Sequence, residues 1–384
     1  MNQHSDTAHH VTLQENRVVL RGPADLADAL PYLLGYHPDD SIVLIGLHGR
    51  RGRLGGRLRT GIPKEPAAWS EAAEQLAGCL VESAAARRGR PDAAVVYLCQ
   101  EPQPGVSAQE TMERLRPLAQ RMRTACGALD VPVLEALYVT GARYWSYCCP
   151  GPDCCPAEGN ELPLTGTSPM AAAAAYAGIR VQGSLRDLES RLAPLTGPAE
   201  ARQLRALDAA AAELVPRMLD GQASIDAVRA ESLDLAGRLL ERFERALAPA
   251  DPDDASTDGR DDALLTSEEA ARLVLGLQDR TIRDIAAEWM EGTEAPPALR
   301  LWRALARRCV GAYREHAAAP LTLAGWVSWA TGDEVGARIA LGMALETDPE
   351  YVFARLLHQA CNEGVDPEPL RRSMRRERAA RGRR

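Results

Sequence analysis

The chain has 384 residues, 46% of them hydrophobic and 26% charged, with a net charge of −8. That balance excludes a disordered chain, and the length exceeds what a single core usually fills. No apolar run approaches the roughly 20 residues needed to span a bilayer, and Met1–His10 lacks the apolar centre of a secretory signal, so a cytosolic protein without membrane contact is expected.

In that compartment the nine cysteines are expected to stay thiols. The charge is uneven. Eight arginines between Arg371 and Arg384, set against Glu377, give +7 and leave −15 for the rest.

In chain order, residues 1–16 read as a polar, disordered leader. Val18-Val19-Leu20 is a short strand, and Arg21-Gly22-Pro23 opens a helix with proline at its favoured first position. Leu26, Ala29, Leu30, Leu33 and Leu34 keep helical spacing, Pro31 predicts a kink or two shorter pieces, and Gly35 a stop. Tyr36–Ser41 is a turn. Ile42–Leu47 is the continuous apolar run of a strand buried on both faces, with Leu54–Ile62 returning antiparallel. Helices over 67–88 and 108–126 alternate with strands Ala93–Cys99, Val131–Thr140 and Arg143–Tyr147, which predicts a mixed sheet covered by helices, with Trp145 and Tyr147 on one face.

After the cysteine-rich stretch Cys148–Pro156 nearly everything reads as helix. Pro169 begins one, and long helices are expected over 199–219 and 224–248. The run 250–263 is acidic and turn-rich enough to read as a solvated linker. Thr266 caps the next helix, and four further helical segments follow. Gly325, Gly332, Ala337, Ala344, Leu345 and Pro349 have the spacing of small residues and proline in one tetratricopeptide-like hairpin. The expected organisation is an α/β domain over 17–165 ending in the cysteine-rich loop, a helical region over 166–249, the linker over 250–263, an all-α tetratricopeptide-like region over 264–370, and a disordered arginine-rich tail over 371–384.

Several stretches together resemble the family of domain of unknown function 4192 from high-GC Gram-positive bacteria: Gly22–Leu26, Pro31–Ser41, Tyr144–Cys148 continuing through Cys154–Pro156, Arg283-Asp284, and Gly332–Pro349. The resemblance spans about 18–370. It implies a bacterial cytosolic protein of this architecture and brings no catalytic residues with it.

No motif specifies a reaction. Cys148, Cys149, Cys154 and Cys155 have the residue type and a spacing suited to zinc, with His37, His48 or Cys99 as a remote ligand; a switchable disulfide, a reactive thiol and a reduced structural loop are the alternatives. His37, Asp39, Asp40 and Ser41 combine base, acid and hydroxyl at the mouth of a strand, the parts of a nucleophilic site, but turn chemistry explains the same residues and there is no Gly-x-Ser-x-Gly elbow. Gly49–Arg59 carries five arginines on a hairpin, without the ending of a phosphate-binding loop. Arg371–Arg384 offers phosphate contacts to nucleic acid, although the acidic body opposes a polyanion. Trp302, Trp326 and Trp329 read as core, and Arg283-Asp284 as structural ion-pairing. The leading expectation is therefore a protein-interaction or regulatory module using the helical region. The alternative is an enzyme or a small-molecule or metal-binding protein with a site at the sheet ends near the cysteine-rich loop.

Overall fold

The computed structural model describes residues 9–13, 16–49, 52–85, 89–141, 143–149, 156–163, 166–246 and 256–382. The chain divides into two compact units, Met1–Leu185 and Arg186–Arg384. Among the described residues no helix is long and apolar enough to cross a membrane.

The first unit contains strands β1 (His9–Leu13), β2 (Asn16–Leu20), β3 (Ser41–His48), β4 (Arg53–Gly61), β5 (Ala93–Cys99), β6 (Val133–Val139), β7 (Arg143–Ser146) and β8 (Asn160–Glu161). Its helices are α1 (Pro23–Leu34), α2 (Trp69–Ala85), α3 (Ala108–Ala128) and α4 (Pro169–Tyr176). Among the described residues the strands form one mixed sheet in the order β2-β1-β4-β3-β5-β6-β7-β8. β3 lies antiparallel to β4 and β5, with Ser41 opposite Cys99, while β5 and β6 run parallel. The described part of the leader expected to be disordered includes a strand over His9–Leu13, paired with β2; residues 1–8 lie outside the described residues.

The alternation of side chains along β3 and β5 sorts the core into two layers. Ile42, Leu44, Val96 and Leu98 pack with Leu76 and Leu80 of α2 and Leu115, Leu118 and Met122 of α3, together with Trp145 and Tyr147. Val43, Ile45, Val95 and Tyr97 pack on the other face with Leu26, Leu30 and Leu33 of α1 and Met170 of α4. The continuous apolar runs thus have both faces buried, as their composition predicts. Tyr97 Oη donates to the Leu26 carbonyl (3.1 Å), which ties α1 to the middle of the sheet.

α1 passes through Pro31 without a break and ends at Gly35, whose φ of 87° suits glycine. Pro31 therefore does not divide the segment into two shorter pieces. Pro31 has no N–H to give the Ala27 carbonyl, but three residues past it complete the helix, and the apolar contacts of Leu30 and Leu33 hold both sides of the gap on one sheet.

The second unit is helical: α5 begins at the boundary (Leu185–Ser190), followed by α6 (Gly197–Leu219), α7 (Gln222–Arg245), α8 (Ser256–Ala263), α9 (Ser267–Gly276), α10 (Arg280–Ala286), α11 (Ala295–Arg307), a 3-10 segment (Gly311–Ala317), α12 (Ala318–Ala330), α13 (Glu334–Thr347), α14 (Val352–Asn362) and α15 (Glu368–Arg381). Among the described residues five helices, not four, separate α9 from the tail helix, because the stretch after α10 folds as its own helix. Thr266 accepts from Glu269 N and Glu269 reaches back to the Thr266 amide, so α9 starts with the expected cap. α11, α12, α13 and α14 pack in series. Trp302 and Trp326 are fully buried; Trp302 stacks on Trp289 at 5.8 Å, and Trp326 Nε1 donates to the Ala287 carbonyl (2.8 Å).

Two acidic or basic segments differ from their sequence reading. The described part of the supposed linker, from Ser256, is helix α8, and its carboxylates are held by distant arginines. Arg191 and Arg307 pair with Asp258, Arg300 with Asp261, and Arg307 with Asp262. The supposed disordered tail is helix α15 as far as Arg381. Arg371 and Arg375 both reach Glu291 (2.7 and 2.6 Å), Arg378 grips Glu294 with both terminal nitrogens, and Arg381 pairs with the buried Glu288. In both cases opposite charges remote in sequence neutralise what repels within the segment.

Candidate functional site

One cavity of about 250 Å³ opens where β5 and β6 end. Its walls come from several parts of the first unit, Val181 after α4 among them. α1 contributes Ala27, Asp28, Pro31 and Tyr32, the following turn His37 and Asp39, and the strand ends Cys99, Gln100, Glu101 and Thr140, while Leu162 and Pro163 come from the segment after β8. Crevices outside the carboxyl ends of parallel strands are where α/β sheets commonly take ligands, and β5 and β6 are such a pair.

The polar groups around it are held by the local chain path. The Glu101 carboxylate accepts from Gly141 N (2.6 Å) and Thr140 Oγ1 (3.3 Å), closing the turn after β6. Gln100 donates to Asp40 Oδ1 (2.8 Å), accepts from Arg114, and its carbonyl accepts from Tyr138 Oη (2.9 Å). Burial pushes the Asp28 carboxyl above its ordinary range, against the lowering effect of a hydrogen bond from Ser168, and the neighbouring Asp25 adds to the rise. The Tyr32 hydroxyl is likewise pushed up, first by burial and then by the charge of Asp28. The Cys99 thiol is raised strongly by burial and by the charges of Asp39 and Glu101.

The residues singled out in the sequence are only partly gathered. His37 is exposed and lines the cavity, its backbone bonded to Gly183 and Leu185 in a short bridge. Asp40, with a φ of 40°, points its carboxylate to Gln100. Ser41 is fully buried, donates to the Asp39 carbonyl (2.5 Å) and accepts from Arg59 Nε (3.0 Å). It does not line the cavity, so the hydroxyl and His37 do not form a nucleophile and base. Arg57 reaches the Leu33 carbonyl of α1 and Arg59 the Ser41 hydroxyl, so these two hairpin arginines are engaged within the domain. Arg50 and Arg51 lie outside the described residues.

Cys148 and Cys149, the described start of the cysteine-rich stretch, lie toward the other end of β6. β7 runs antiparallel to β6 with Ser146 opposite Leu137, and Tyr147 N bonds the Ala136 carbonyl, which carries Cys148 toward Glu135 and away from Thr140. At 3.3 Å per residue Glu135 and Thr140 are about 17 Å apart along the strand, so Cys148 and Cys149 do not border the cavity. Ser146 Oγ donates to Glu135 (2.7 Å), and burial raises both the Glu135 carboxyl and the Cys148 thiol. Against the expectation that all the cysteines stay thiols, Cys149 is disulfide-bonded; the other described cysteines are free, and Cys154 and Cys155 lie outside the described residues. His48 sits at the far end of β3 from Cys99 and His37, so no single ion reaches both ends. Among the described residues no three His, Cys, Asp or Glu side chains gather as a metal site requires.

Arg283 lies over the Tyr351 and Phe353 rings, donates to Tyr351 Oη (3.0 Å) and also touches its neighbour Asp284 (3.3 Å), fastening the start of α14. The adjacent pair does interact, through the far end of the arginine. Asp28, Tyr32, Glu101 and Thr140 were missed as site residues. The available signal was position: Gln100-Glu101 and Thr140-Gly141 immediately follow two buried strands separated by a helix, where α/β crevices form.

The first unit is thus a three-layer α/β domain with a crevice at its strand ends, followed in the chain by a helical unit. The family model described as Domain of unknown function (DUF4192) matches residues 23–368, and the chain belongs to that family. No curated protein and no solved structure matches it.

Proposed function

We propose that the N-terminal unit binds a small organic molecule in the strand-end crevice. The observation that carries this reading is the cavity itself, about 250 Å³ at the ends of a parallel strand pair, with apolar walls and a few converging polar groups. The volume lies just below the roughly 300–1,000 Å³ of common ligand pockets, which favours a compact metabolite over a dinucleotide. Binding without catalysis is the better reading, since Ser41 is buried and committed to Asp39 and Arg59. Thr140→Trp fills the rim. Ligand-observed NMR of the full chain against a mixture of compact metabolites should give hits that this variant loses; hits that persist in the variant count against the crevice. A cytosolic location goes with this proposal, supported by six free thiols that include the exposed Cys79 and opposed by the disulfide at Cys149.

A second reading, a protein partner on the helical unit, is favoured by Val352 and Leu356, which stand one turn apart on α14 and are 65% and 61% exposed. Leu356→Asp should abolish co-purification of any partner that uses this face while leaving the fold intact; an unchanged partner set counts against it.

A further inference from the structure

We infer that α15 is a nucleic-acid-binding arm that the folded chain holds shut on carboxylates of its own. Arg371, Arg375, Arg378 and Arg381 recur at helical spacing, so they form one cationic stripe about 15 Å long at 1.5 Å per residue. Like charges one turn apart oppose a helix, and this stripe is helical against an anionic surface. Arg371 and Arg375 share Glu291, Arg378 takes Glu294 and Arg381 reaches Glu288. Three carboxylates along the arm thus stand where the phosphates of a nucleic-acid strand would.

The grip is of a kind that yields. No residue of α15 is buried, and ion pairs at exposed positions are individually weak and screened by salt. Docking also leaves Arg371 Nε buried without an acceptor, which carries a cost. A helix held in this way opens at far less free energy than the core. Arg372 and Arg376 lie on the far side of the helix; Arg372 pairs with Glu368 of α15 itself, and Arg376 has no ion pair among the described residues. These two give a polyanion its first foothold, and the opened arm adds the stripe. Phosphate contacts need no apolar face, and α15 has none: Leu370 and Met374 are its only large apolar residues, too few for a helix lying in a bilayer surface.

A short labelled DNA duplex, titrated with the full chain at about 0.05 M salt and followed by fluorescence anisotropy, tests this. The parent, with its arm shut, should bind no more tightly than the chain ending after Leu370. Glu291→Gln/Glu294→Gln frees the stripe and should bind about tenfold tighter than the parent, the combined effect of the surface pairs removed. The same variant should lose about a hundredfold in affinity on raising the salt to about 0.2 M, as four phosphate contacts require. Glu244→Gln/Glu346→Gln makes the same change of net charge at two exposed residues, on α7 and α13, and should bind like the parent. Far-UV circular dichroism checks that each variant is folded. No gain in Glu291→Gln/Glu294→Gln, an equal gain in the charge-matched control, or a gain that survives ending the variant chain after Leu370 overturns the proposal. Binding of this variant to phosphatidylglycerol vesicles as tight as to the duplex overturns the nucleic-acid assignment in favour of a membrane surface.

Discussion

Replacing Gly325 with alanine sets two effects of similar size against each other, and the packing of α12 on α13 decides between them. Alanine is better than glycine inside a helix by about 1 kcal/mol. A Cβ at this position, however, would lie 2.6 Å from Leu341 Cγ, 2.9 Å from its Cδ2 and 3.3 Å from the Ala337 carbonyl oxygen. Leu341 is fully buried, and Cγ is a branch point, so the side chain cannot swing its tip aside. Forcing a carbon into a packed site costs about 1–3 kcal/mol. The net expectation is a loss of up to about 2 kcal/mol, or a few degrees in the melting point of a unit this size. Urea unfolding followed by Trp fluorescence reads it directly, since Trp326 and Trp329 sit on the same helix. In a Leu341→Ala background, itself about 2–5 kcal/mol less stable, the same substitution should turn stabilising by up to about 1 kcal/mol, because the side-chain obstruction is gone and only the contact with the Ala337 carbonyl opposes propensity. Stabilisation of the parent chain by Gly325→Ala would refute the reasoning and show that the two helices do not meet at this point.

Asp261→Ala leaves Arg300 without the carboxylate that holds it at 2.5 Å, in a place where Asp261 is 3% exposed; the expected loss is about 3 kcal/mol by chemical denaturation, and a change under 1 kcal/mol would show the pair to be solvated. Burial raises the folded pKa of Asp28 above its ordinary 3.8, so the folded state binds its proton more tightly than the unfolded chain. That contribution is complete below 3.8 and is lost as pH rises through the raised value. Asp28→Asn should therefore melt higher than the parent near neutral pH, with the advantage fading in acid. A variant less stable than the parent at neutral pH would contradict this. Ending the chain after Leu370 removes the arginines that reach Glu288, Glu291 and Glu294; the truncated chain should unfold more easily than the parent at about 0.01 M salt, and the gap should narrow at about 1 M, where screening is short-ranged. The same truncation should leave DNA binding at low salt unchanged, because four of those arginines are already neutralised in the folded chain.

The sheet was legible because burial on both faces leaves a local mark. Ile42–Leu47 and Ala93–Cys99 are unbroken apolar runs, and each is short enough and β-branched enough to be a strand. The crevice was half legible. His37 and Asp39 stand out as turn residues, but Asp28 lies inside a helical pattern where a carboxylate reads as solvent-facing, and only the path of α1 over the sheet turns it inward. The two charged segments misled for a related reason. The acid-rich run at α8 has partners at Arg191, Arg300 and Arg307, too distant in sequence for any local window. A trace of the α15 contact was nevertheless present: Glu288, Glu291 and Glu294 recur every third residue, and Arg371, Arg375, Arg378 and Arg381 keep helical spacing. Two stripes of opposite charge at matching periods specify a contact where net charge alone specifies a tail.

The treatment of buried acids in the two units bears on the crevice. In the helical unit Asp258, Asp261, Asp262 and Glu288 are each met by a guanidinium, the usual way to keep a carboxylate away from water. Around the crevice the chain does otherwise. Asp28, half-buried, is held by the Ser168 hydroxyl with another acid nearby, an arrangement that does not neutralise its charge. Such an acid makes the domain less stable at neutral pH than a neutral residue would. Because Asp28 lines the crevice, stability and ligand affinity at this residue should move in opposite directions: Asp28→Asn gains the first at neutral pH and loses the second. A purely structural carboxylate would give no such opposition, so the two measurements on one variant separate a site from a packing accident.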